Sequence, residues 1–83
     1  MKVGDVVECN RKWISTHGSA PNVAGVVVQK AEDVQEYNLV KFDGWGKGHD
    51  GGPRAGKLKL SGKNCWWLYG SSLTLIDEFD GNL

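Results

Sequence analysis

The chain has 83 residues, with ten Lys and Arg balanced by ten Asp and Glu, and its aromatic residues include four tryptophans. A neutral balance excludes a general nucleic-acid-coating protein, which needs a strongly basic surface, and the length allows one domain that buries roughly 60 to 65% of its unfolded surface. The longest apolar run, Val23 to Val28, is far too short to span a membrane.

From the N-terminus, Lys2 to Cys9 alternates after a Gly4-Asp5 turn, placing Val7 and Cys9 on one face and Val6 and Glu8 on the other. This predicts a half-buried first strand. Asn10 to Asn22 is rich in Ser, Thr, Gly, Pro and basic residues, which favours loop, with Trp13 and Ile14 as its large apolar anchors. Ala24 to Lys30 is short and β-branched, so it reads as a second strand, with Gly25 suited to a bulge or sharp bend. A polar link, Ala31 to Glu36, leads to a third strand over Tyr37 to Phe42, with Val40 and Phe42 on one face and Leu39 on the other. The short link makes these two strands a hairpin or meander.

A long glycine-rich stretch, Asp43 to Gly62, comes next and holds seven glycines between Gly44 and Gly62. Connections of about four to six residues are usual, so one this long is expected to be functional or disordered. Within it, Lys57 to Leu60 alternates as a short extra strand would. Asn64 to Tyr69 forms a fourth strand, with Cys65, Trp67 and Tyr69 opposite Trp66 and Leu68. Gly70-Ser71-Ser72 makes a tight turn of 3₁₀ type, and Leu73 to Ile76 completes five strands. The domain is expected over 1–77, with an acidic tail at 78–83 that frays. Sustained 3.6-residue periodicity is absent, and five short strands joined by glycine-rich turns point to a small, strongly bent antiparallel all-β barrel.

Charge is unevenly placed along this frame: the net is −1 over Met1 to Val40, +4 over Lys41 to Lys63 and −3 over Asn64 to Leu83. The loop thus carries the positive charge. Cys9 and Cys65 read as small buried strand residues, reduced in a cytoplasmic protein, because Lys2 leads into Gly4 and Asp5 rather than into the apolar core of a secretion signal. Cys9, His17, His49 and Cys65 lack the close pairs of a zinc site, so no metal or other cofactor is expected. His49, Asp50 and Arg54 could be drawn as an acid–base group, but a loop with seven glycines gives poor support for catalytic geometry, and no enzyme activity is expected. The same loop could cradle a phosphate through backbone N–H groups, although no Gly-Lys-Ser/Thr enters a helix. Trp66 and Trp67 must face opposite ways, and Trp67, which shares a face with Cys65, is expected in the core with Trp66 at the surface.

Lys2 to Asp5, then Phe42, Asp43, Trp45, Gly48, His49, Asp50 and Gly51, then Asn64 to Trp67 and Ser72 to Ile76, form a pattern that resembles small SH3-like barrel proteins encoded by bacteriophages and prophages. A weaker similarity runs to KOW and Mib-Herc2 barrels, which share the Gly-Asp start. The insertion Pro53 to Lys63 departs from the pattern, so the resemblance implies a fold and a phage origin and transfers no activity. The expected function is a protein-binding module that modulates or evades a host system, with a host or phage protein as partner. The binding residues would be Trp45, Lys47, His49, Asp50, Arg54, Lys57 and Trp66, which combine the aromatic and cationic side chains of binding hot spots. A nucleotide or small ligand held by the same loop and tryptophans is the alternative, and nucleic acid and membrane are not expected partners.

Overall fold

The computed structural model describes residues 1–11, 20–52, 55 and 63–79. Five strands follow in chain order: β1 (Val6–Cys9), β2 (Gly25–Lys30), β3 (Tyr37–Lys41), β4 (Cys65–Tyr69) and β5 (Leu73–Asp77), with a 3₁₀ turn over Gly70–Ser72. All pairings are antiparallel in one sheet ordered β4-β3-β2-β1-β5, so the protein is all-β, as the alternation predicts. Trp13 and Ile14, the strand expected over Lys57 to Leu60, and residues 80–83 of the tail lie outside the described residues.

Burial explains why the sheet bends. Val7, Val27, Val40, Phe42, Leu68 and Leu73 form one buried cluster that draws on every strand, including the two edge strands β4 and β5. A flat sheet would hold its edges too far apart to share a core, so this cluster requires the sheet to curl. Two register shifts assist, one between Val27 and Gln29 in β2 and one opposite Val6 and Val7 of β1, since an extra residue on one strand increases local twist. A bulge or sharp bend is expected near Gly25, and the register shift in β2 falls further along, between Val27 and Gln29. Gly25 has a different reason to be glycine: a Cβ there would lie 2.6 Å from Val40 Cγ1 and 2.7 Å from the Phe42 ring. The aromatic ring occupies the space a side chain would need.

β3 is buried on both faces, with Asn38, Leu39 and Val40 all at 0% exposure. A second cluster, Leu39, Ala55, Cys65 and Trp67, lies on the opposite side of β3 and β4 from the main core. Ala55 belongs to the glycine-rich loop, so at that residue the loop lies against the outer face of β3 and β4.

The segments that precede β1 and follow β5 are fastened together at Asp5, which is 2% exposed. Its carboxylate accepts the Lys2 N–H at 2.9 Å and the Phe79 N–H at 3.0 Å, and the Lys2 ammonium lies 3.6 Å away. Lys2 also pairs with Glu78 at 2.7 Å. Glu78 and Phe79 are thus held to the body of the domain.

Candidate functional site

The loop's path is set by contacts with β4. Trp45 N–H donates to Phe42 O at 3.1 Å, which turns the chain immediately after β3. His49 then pairs with Cys65 through both backbone groups, N–H to Cys65 O at 2.8 Å and Cys65 N–H to His49 O at 3.0 Å, and Gly48 N–H donates to Lys63 O at 2.7 Å. Only glycine fits at position 48, because a Cβ would sit 2.3 Å from the Cys65 carbonyl oxygen.

Side chains continue the fastening. Gly51 N–H donates to His49 Nδ1 at 2.8 Å, so that nitrogen acts as an acceptor. Gly52 N–H donates to Asp50 Oδ1 at 3.0 Å, closing an Asx turn. Trp67 donates its indole N–H to Gly51 O at 2.8 Å, from a side chain buried beneath the loop. The loop expected to be functional or disordered is therefore bonded to β4 at His49 and Gly51, and to Lys63 just before β4 at Gly48.

These contacts assemble an aromatic rim where the loop meets the sheet. Trp45 meets Phe42 edge-on at 5.7 Å and Trp66 edge-on at 6.3 Å, and His49 lies 4.8 Å from the Trp66 ring. Trp45 and Trp66 are both half-buried against the main core. Edge-to-face pairs at these separations are worth about 0.5 to 1.5 kcal/mol beyond the area they bury.

The expected binding residues fall into three groups. Trp45, His49 and Trp66 form the rim, while Lys47 is exposed on the same loop. Asp50 is turned to the loop's own backbone. Arg54 and Lys57 lie outside the described residues. His49 packs on Trp66. Trp67 is buried as expected at 8% exposure, but in the outer cluster under the loop, and Trp66 is the tryptophan on the main-core side of β4. On the outer face, sequence reasoning overlooked Tyr37, which stacks on Trp67 at 5.4 Å and meets Tyr69 at 4.7 Å. The cross-strand pairs Tyr37 with Tyr69 and Leu39 with Trp67 were available as a signal once β3 and β4 were set antiparallel.

Burial pushes the Cys65 thiol upward in pKa, against a smaller opposing influence from Lys41. Cys9, half-buried, packs against the main core. His17 lies outside the described residues, and among the described residues no group of three or more His, Cys, Asp or Glu is placed to hold a metal ion. No described helix is long and apolar enough to cross a membrane. Comparison with protein-family models, curated proteins and solved structures gives no match.

Proposed function

We propose that the chain is a non-enzymatic protein-binding module, an SH3-like barrel of phage or prophage type that docks a host or phage protein and modulates or evades a host system. The observation that supports this most is the rim: two half-exposed tryptophans set edge to face, Trp45 backed by Phe42 on a loop whose backbone is already bonded to β4, and Trp66 on β4 itself. Large aromatics held before contact lose little conformational freedom on binding, which is how a few side chains come to dominate an interface. Lys47 on the same loop adds a cation, and Arg54 and Lys57 contribute to its net positive charge.

A nucleotide remains the second ligand class for this loop. Its phosphates would need free backbone N–H groups, and those of Gly48, His49, Gly51 and Gly52 already donate within the protein. The protein-binding reading therefore leads.

Affinity capture from bacterial lysate tests it, using the wild type, Trp45→Ala and Lys47→Glu. Loss of a centrally placed tryptophan at an interface costs at least about 2 kcal/mol, or some thirtyfold in affinity. A specific partner should be retained by the wild type and lost from Trp45→Ala, with Lys47→Glu weakened. Because Trp45 also rests on Phe42, the thermal midpoint of each variant is measured alongside. Retention of the partner by both folded variants would show that the rim is not the docking surface, and a thermal shift with nucleotides but no captured protein would favour the second class.

A further inference from the structure

The outer edge of β4 carries a second surface beyond the pairing of His49 with Cys65. Along an antiparallel strand, backbone groups of alternate residues point to opposite edges. Phe42 N–H donates to Asn64 O at 2.7 Å and Gly70 N–H donates to Glu36 O at 2.8 Å, so the even-numbered residues of this stretch face β3. Cys65, Trp67 and Tyr69 therefore present N–H and C=O groups to the other side. Those of Cys65 are taken by His49, and there the pairing stops: among the described residues, none bonds the outward N–H or C=O of Trp67 or the N–H of Tyr69.

A cleft of about 160 Å³ lies against this stretch. Its walls take Trp66, Trp67, Leu68 and Tyr69 in succession, with Tyr37, Arg11 and Ser72 completing them. Successive strand residues point to opposite faces, so a cleft that touches all four runs along the edge rather than over one face. Arg11 is its one charged lining residue and has no ion-pair partner among the described residues. Lys63, exposed just before β4, has none there either.

We infer that this edge takes up an extended acidic segment of a partner protein as an added strand. Its main chain pairs with Trp67 and Tyr69, an apolar side chain enters the cleft, and a carboxylate meets Arg11. The backbone pattern specifies an extended chain, since only a strand offers donors and acceptors at this spacing. Charge complementarity with Arg11 and Lys63 specifies the acid. The proposal rests on the protein-binding reading and adds the form of the bound segment.

The test is selection from a random octapeptide display library on the folded protein, followed by amide hydrogen exchange with a synthetic selected peptide. Selected sequences should carry Asp or Glu among alternating β-branched or aromatic residues, without proline at the paired positions. The peptide should slow exchange at the Trp67 and Tyr69 amides by about tenfold or more, and Arg11→Glu should weaken binding by a similar factor. Selection of proline-rich or basic peptides, no selection at all, or exchange unchanged at those two amides overturns the proposal. Protection of the same amides without peptide, rising with protein concentration, assigns the edge to a second copy and overturns it equally. Protection confined to Trp45 and His49 would defeat the added strand and leave the rim reading standing. Edge protection together with lysate capture that survives Trp45→Ala would do the reverse.

Discussion

At the scale of single residues, the close approaches are the most sharply determined features. Gly25 leaves room for the Phe42 ring and for Val40. Gly25→Ala would force both aside, and overpacking of this kind costs about 1 to 3 kcal/mol; urea unfolding should show a lower midpoint with an unchanged slope. The period-2 pattern predicts that a glycine in β2 marks an irregularity, but only the packed ring shows that the irregularity is a contact and not a bulge. Cys65 offers a second check. Its side chain is fully buried and its thiol is shifted away from the reactive thiolate. Native protein is expected to give one fast-reacting thiol with a disulfide reagent, Cys9, and both thiols in denaturant. Equal rates for the two in the native state would contradict the burial of Cys65.

At the scale of elements, the strands were legible because alternation is a local property: all five lie where the alternating runs place them, within a residue or two at each end. The loop was legible as an object but not as a structure. Its bonds to β4 join residues 16 apart in sequence, as in the pairing of His49 with Cys65, and no local pattern encodes which strand edge a glycine-rich segment will meet. Alternation likewise places Trp66 and Trp67 on opposite faces without saying which face is the interior. The register that sets Trp66 beside Val40 and Trp67 beside Leu39 decides that. Trp67→Phe keeps most of the buried ring area while deleting the indole N–H that reaches Gly51 O. It should cost about 1 to 3 kcal/mol, since a buried carbonyl loses its donor, and hydrogen exchange in the loop amides Gly51 and Gly52 should accelerate more than exchange in β2 and β3. Uniform acceleration across all strands would mean that the loop unfolds only with the whole domain.

For the whole molecule, stability depends on a curled sheet whose flanking segments, at Lys2 and Phe79, are both held by Asp5. The Lys2 N–H holds the Asp5 carboxyl below its ordinary pKa, and the Phe79 N–H and Lys2 ammonium add to this against the opposing effect of burial. Glu36 is also lowered, by Lys30 at 2.8 Å and by the Met1 ammonium at 3.0 Å, but it is 46% exposed and its ion pairs are screened by salt. A carboxyl with a depressed folded-state pKa contributes its full stability above the unfolded value, about 3.9 for Asp. That contribution falls away as pH drops below the unfolded value and through the folded one. Stability should therefore be flat from neutral pH down to about 5 and decline steeply below about 4. The two carboxylates separate by variant and salt. Asp5→Asn retains one acceptor oxygen but loses the charge, so it should lower stability at neutral pH by about 1 to 3 kcal/mol and flatten the acid decline, with little dependence on added salt. Glu36→Gln should cost less than about 1 kcal/mol and only at low ionic strength. Denaturant unfolding at pH 7 and pH 3, each at low and high salt, distinguishes them: an Asp5→Asn protein as stable as the wild type at pH 7 would show that the domain closes without this clamp.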